Sequence, residues 1–239
     1  MTRFLLMLVM AFYTMSLLIF PASAQSNRTN EYGGGSRLQP RAAQIVQSGP
    51  DAAASVLRDF GECIVSRRVL STEQLVGLPI DTPAYEKGMR RLFATVDDAC
   101  LGGDGSLQFS NSLLRGALFE ALYRRKFADG GIGQFPADFE TALDRGYSQP
   151  RSDQVRQHLT LQQFSECVTK QQAGEVRKLV LSSPGSSAEQ AAITALAPSF
   201  GPCFGSGASL KMTKPALRAM LAESVYRMSV FAKSTGMSK

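Results

Sequence analysis

Five polar side chains recur in matched pairs along the chain: Glu62 with Glu166, Arg115 with Arg218, Glu120 with Glu223, Tyr123 with Tyr226, and Arg124 with Arg227. The members of each pair stand 103 or 104 positions apart. Repeated carboxylates permit two kinds of chemistry. Two acids brought together across a pseudo-two-fold axis could flank a glycosidic bond, one as acid and one as base or nucleophile. Alternatively, Glu120 to Arg124 and Glu223 to Arg227 are i, i+4 pairs in the favourable order on a helix, which is a structural use. Acid and base need different environments, and two copies of one motif argue against that division. The repeated Glu and Arg residues are therefore read as a polar network first and a hydrolytic pair second.

Other chemistries fare worse. His158 is the single imidazole, and its partner at the same offset is Ala54. It is expected to be an exposed helix residue. A Ser-His-Asp triad would need His158 as base, and no Gly-x-Ser-x-Gly elbow supplies the nucleophile. The Gly-rich turn Gly102-Gly103-Asp104-Gly105 lacks the Lys-Ser/Thr of a phosphate loop. Asp97, Asp98 and Asp104 do not show calcium-loop spacing, and the second copy does not repeat them. No cofactor or metal is expected.

The four cysteines also fall into the repeat, Cys63 with Cys167 and Cys100 with Cys203. None lies in a C-x-x-C motif, so they read as structural bridges. Symmetry favours Cys63–Cys100 and Cys167–Cys203, with two cross-copy connectivities as alternatives.

The elements that must position these residues follow from the same repeat. Phe60-Gly61-Glu62-Cys63-Ile64 recurs as Phe164-Ser165-Glu166-Cys167-Val168, and Leu114 to Arg124 recurs as Leu217 to Arg227. One single-residue gap over about 70 positions makes chance a poor explanation. Leu57, Phe60 and Ile64 lie at i, i+3, i+7, as do Leu161, Phe164 and Val168, which marks one face of a helix. Glu62 lies about 200° round from Phe60, away from that face and toward Arg115 or Arg124 of the last helix. Short helices are expected near Thr72–Val76 and Pro83–Val96, with Thr82 as N-cap before Pro83. Ser110 and Thr213 precede the last helix of each copy, and brief extended pieces are expected at Ser106–Phe109 and Ser209–Met212. The expected fold is all-α: two tandem pseudo-symmetric helical units of about four helices each, with one disulfide per unit. Helical repeat 1 covers 51–127 and helical repeat 2 covers 153–233. Residues 128–152 link them, with one helix expected at Ala137–Arg145, and 234–239 form a tail.

The N-terminus sets the compartment. Residues 1–24 carry Arg3, an uncharged apolar run from Phe4 to Phe20, Pro21, and Ala22-Ser23-Ala24, which together read as a signal peptide. Residues 25–50 are polar with three consecutive glycines and read as a flexible tether. The chain has 239 residues, with 26 Lys and Arg against 20 Asp and Glu. Beyond the signal, 25 basic face 20 acidic side chains, a net +5 spread along the chain. That mild excess suits an anionic envelope surface or another envelope protein as partner, and not nucleic acid, for which no binding module is present. No later stretch approaches membrane-spanning length.

The pattern F-x-E-C at Phe60–Cys63, C-x-x-G at Cys100–Gly103 and L-R-G-A-L-x-E-A-L-Y-R at Leu114–Arg124 resembles uncharacterised exported bacterial proteins built from a duplicated two-cysteine helical unit. The resemblance implies the fold and export, and carries no activity. The expectation is an exported periplasmic or extracellular helical protein acting as a non-enzymatic binding or structural module, with its binding surface in the groove between units. The alternative is an envelope-polymer hydrolase using paired carboxylates.

Overall fold

Helix caps read from the sequence at Thr82, Ser110 and Thr213 set three helix starts in the computed structural model. The structure describes residues 49–94, 96, 100, 108–130, 135, 139, 147, 152–204 and 212–236, all within the unit Gln39–Lys239. The expected signal peptide and Gly-rich turns lie outside the described residues, as do the tether up to residue 48 and the Ala137–Arg145 helix apart from Phe139, which has no regular structure; Pro50, expected in the tether, begins the first helix. Seven helices follow in order: α1 Pro50–Val76, α2 Pro83–Phe93, α3 Asn111–Phe127, α4 Asp153–Gln171, α5 Ala173–Leu181, α6 Ser187–Phe204 and α7 Lys214–Ser234. There is no strand among the described residues, and Gln108 and Phe109 have no regular structure. The protein is all-helical over what is described.

Local chemistry explains the boundaries. The side chains of Thr82, Ser110, Ser152 and Thr213 accept hydrogen bonds from the N–H groups of Tyr85, Leu113, Val155 and Ala216, capping α2, α3, α4 and α7. Pro50, Pro83 and Pro215 occupy first-turn positions, where the missing N–H removes nothing. The expected short helix at Thr72–Val76 is the end of α1, beyond a kink at Arg68 (φ −137°, ψ 45°). The matched residue Gln172 has φ −136°, ψ 45° and separates α4 from α5. Neither residue is glycine or proline, and the structure gives no local reason for the break.

α3 and α7 form the centre. Residues 114–123 and 217–226 are buried without interruption, so each helix is enclosed on every side. The sequence suggested one apolar stripe on each. Burial all round brings Arg115, Glu120, Arg218 and Glu223 into the interior as well. α3 packs along α7 and against α1, and α4 packs against α6 and α7. One core cluster includes Phe60, Ile64, Leu118 and Leu122 together with Phe164, Val168, Leu221 and Val225. Both expected repeats therefore contribute to a shared interior.

The helix crossing is close. A Cβ placed on Gly116 would overlap Cα and Cβ of Ala219. Gly116→Ala is accordingly expected to lower stability by about 1–3 kcal/mol through overpacking. The intrinsic helix preference for Ala over Gly, about 1 kcal/mol, acts in the opposite direction. A urea midpoint that rises in this variant would show that the crossing is not tight.

Both disulfides join the residues that symmetry favours, Cys63–Cys100 and Cys167–Cys203, each with Cα atoms 5.6 Å apart. They tie α1 and α4 to segments 37 and 36 positions downstream. Among the described residues no helix is long and apolar enough to cross a membrane.

Candidate functional site

α3 and α7 exchange their charges. Arg115 of α3 donates from Nε and Nη2 to the Glu223 carboxylate of α7, at 3.1–3.3 Å. Arg218 of α7 donates from Nε (2.7 Å) and Nη2 (2.8 Å) to Glu120 of α3. Each carboxylate also receives its own i+4 arginine: Arg124 on Glu120 at 3.2 Å and Arg227 on Glu223 at 3.0 Å. Such two-pronged contacts use the planar guanidinium fork.

The same arginines complete helix ends. The last carbonyls of a helix lack partners within it, and arginine side chains supply them. Val76 O at the end of α1 accepts from Arg115 (2.8 Å) and Arg227 (3.3 Å). Val180 O near the end of α5 accepts from Arg124 (2.6 Å) and Arg218 (3.2 Å). The breaks at Arg68 and Gln172 precede these turns in both places.

The outer residues diverge. Glu62 accepts from Arg58 at 3.0 Å and lies 3.6 Å from Arg124, so it meets Arg124 and not Arg115. Glu166 is half-buried on α4 and engaged. Arg218 has a further carboxylate, Glu189, at 3.0 Å from Nη1. The residue matched to Glu189 is Tyr85, whose ring lies under the Arg115 guanidinium at 5.3 Å. Tyr123 and Tyr226 are buried core residues whose rings meet Phe127 at 5.6 Å (tilted) and 6.0 Å (edge-on).

This arrangement bears on hydrolysis. Glu223 is fully enclosed. Burial pushes its carboxyl up, while the positive charges of Arg115 and Arg227, with His158 near, outweigh burial and bring it down to about 2. A general acid needs the opposite shift, so that it holds a proton at working pH. Glu120 is buried as well, with Arg218 and Arg124 on its oxygens. These groups serve the interior and offer no open face to a polymer.

His158 departs from expectation. It is 8% exposed, not an exposed helix residue. His158, Gln162, Ser165 and Thr169 sit at i, i+4, i+7 and i+11 of α4, and all four are buried. They form a polar stripe facing inward, where Ser165 Oγ meets Ser224 Oγ of α7 at 2.6 Å. Hydrophobic periodicity cannot reveal such a stripe, because it counts only apolar residues. The helical spacing of four uncharged polar residues was the available signal. Burial lowers the His158 pKa, with Glu223, Arg115, Asp81 and Arg227 also acting on it.

His158 lines a cavity of about 350 Å³ bounded by Ile80 and Asp81 and by the first turns of α3, α4 and α7. Leu161, Ala219 and Met220 form its apolar wall. No group of three His, Cys, Asp or Glu side chains suited to a metal occurs among the described residues.

No protein-family model, curated protein or solved structure matches the chain.

Proposed function

We propose that this protein is an exported helical module that arose by tandem duplication and binds a small polar ligand, without chemistry, in the cavity between α3, α4 and α7. Two disulfides support an oxidising compartment outside the cytoplasm, the periplasm or the extracellular space. The duplicated, pseudo-symmetric reading is supported by the reciprocal Arg115–Glu223 and Arg218–Glu120 pairs and by the equal backbone angles at Arg68 and Gln172. A two-fold exchange of identical contacts is how two copies of one unit meet in a symmetric dimer. The units would comprise α1 to α3 and α4 to α7, with the binding surface at one end of their junction. The kinship with exported two-cysteine bacterial proteins belongs to the same reading.

The observation that carries the binding role is His158. It is the one imidazole of the chain, and it is mostly buried. It stands on a cavity wall, where a ligand can reach it. The test is amide and imidazole chemical-shift mapping of the intact protein against a library of small polar metabolites. Shifts are expected at His158, Ser112 and Ala219, and their loss in His158→Ala. A library that perturbs no cavity resonance would remove the proposal.

A further inference from the structure

An apolar groove of about 490 Å³ runs along the start of α1. Ala53, Val56 and Leu57 of α1 line it, with Phe109 ahead of α3, Leu113 of α3 and Pro215 of α7. Ala53 is exposed and the other five are half-buried. No charged side chain lines the groove among the described residues, and Gln108 is the one polar side chain there. Apolar surface gathered in one place and left open to water marks an interaction site.

The sequence names an occupant. Gln39-Pro40-Arg41-x-x-Gln44-Ile45-x-Gln47 recurs as Gln149-Pro150-Arg151-x-x-Gln154-Val155-x-Gln157. These two stand 110 positions apart, whereas Leu57 and Leu161 stand 104 apart. Six extra residues therefore separate the motif from F-x-E-C in the first half. In the second half the motif runs straight into α4, where Ser152 caps the helix and Val155 is buried. In the first half the extra residues build the start of α1 instead. Val155 and Leu159 are buried on α4, and the residues matched to them on α1 are Asp51 and Ser55. The aliphatic position of the motif survives ahead of α1, as Ile45.

Attachment and chemistry both bring this segment to the groove. Residues 39–48 lie outside the described residues, and the unit that holds the helices begins at Gln39. The chain enters α1 through Gly49, which itself borders the groove. Gly49 has φ +151°, a conformation open to glycine, so the preceding chain need not continue along the helix axis. A segment joined at the rim closes only a short loop on docking and acts at high effective concentration. Ala42, Ile45 and Val46 stand at i, i+3 and i+4, the anchor spacing of an amphipathic turn laid in an apolar groove. Gln44 and Gln47 fall on other faces of such a turn.

We infer that Gln39–Ser48 is a strap that docks in this groove, with Ile45 and Val46 against Leu57, Phe109 and Leu113 and with Gln44 and Gln47 toward water. The strap covers an apolar surface that would otherwise recruit another chain. It also fixes the point at which the N-terminal tether leaves the helical body, next to the starts of α1, α3 and α7. A second copy of the chain or a foreign peptide would have to displace a segment that is covalently attached at the rim. The strap is independent of the cavity at His158 and of any ligand bound there.

The experiment is methyl NOE spectroscopy on the intact, oxidised protein. Cross-peaks from the Ile45 and Val46 methyls to Leu57, Phe109 or Leu113 are expected, and their absence overturns the strap. A sample that mixes differently labelled copies separates the other occupants. Cross-peaks that arise only between copies would give the groove to a second chain and overturn the strap as well. Ile45→Asp with Val46→Asp is expected to shift the Leu113 methyl signals and to raise the emission of anilinonaphthalene sulfonate, a dye that binds exposed apolar surface. Gln44→Ala with Gln47→Ala, on the other faces of the turn, is expected to change neither. Equal dye emission from the unaltered protein and the aspartate variant would mean that the groove was already open, and the strap would fall. The cross-peaks are read on the unaltered chain, so a variant that does not fold leaves that outcome decisive.

Discussion

Glu223→Ala is expected to cost about 3–5 kcal/mol of folding stability, because removing one partner of a buried ion pair leaves the other charge uncompensated. Arg115 is the charge left behind, 1% exposed, with Val76 O and the Tyr85 ring still beside it. Arg227 loses the same partner. The measurement is urea unfolding at pH 7. A loss below about 1 kcal/mol would mean that the pair is solvated and that the buried exchange described above is wrong. The double variant Arg115→Met with Glu223→Leu is expected to recover most of the loss, since apolar residues of similar volume replace buried pairs at little net cost.

The same carboxylate sets an acid limit. Its pKa falls from 4.5 in an ordinary carboxyl to about 2 in the fold. A lowered pKa means that the unfolded chain binds the proton first as pH falls. The stabilisation is therefore complete above about 4.5 and is lost progressively as pH drops toward 2. A shift of this size corresponds to about 3 kcal/mol. The slope of stability against pH in that window is expected to flatten in the Arg115→Met, Glu223→Leu variant. An unchanged slope would assign the acid sensitivity to other carboxylates.

The second large effect belongs to the disulfides. Loops of 37 and 36 positions are each stabilised by roughly 3–4 kcal/mol on a chain-entropy account. Two such contributions are comparable with the whole net stability of a typical domain, about 5–15 kcal/mol. Reduction of both bridges is expected to unfold the protein, or to lower its Tm by tens of degrees. Cys167→Ser with Cys203→Ser should give about half of that effect. Thiol labelling of the denatured, unreduced protein is expected to find no free thiol among the four cysteines. Four labelled thiols would remove both bridges from the account.

Much of this architecture was legible in the sequence because its motifs recur there. The duplicated Cys positions yielded the pairing, and the duplicated caps Ser110 and Thr213 located α3 and α7. What remained hidden was the identity of each partner. Helical periodicity places Glu120 beside Arg124, one turn away, but contains nothing about Arg218, 98 positions distant. The exchange between α3 and α7 is a tertiary fact, created by the close crossing at Gly116 and Ala219. His158 was hidden for a related reason. A lone imidazole among Gln and Thr looks solvated by composition, and only the stripe it shares with Gln162, Ser165 and Thr169 turns it inward. The position matched to it in the sequence is Ala54, so the recurrence gave no second copy from which to read its role.

The exchange of charges between α3 and α7 also dictates an order of events. Synthesis delivers α3 long before α7, whose first residue is Lys214. Until then Arg115 has no Glu223, Glu120 has no Arg218, and the N-terminal half cannot bury the polar groups its own central helix carries. Maturation must wait for the final stretch of chain. A product terminated before α7 is left with a central helix whose charges and apolar residues lack their partners, and is expected to be open to proteases rather than a smaller working protein.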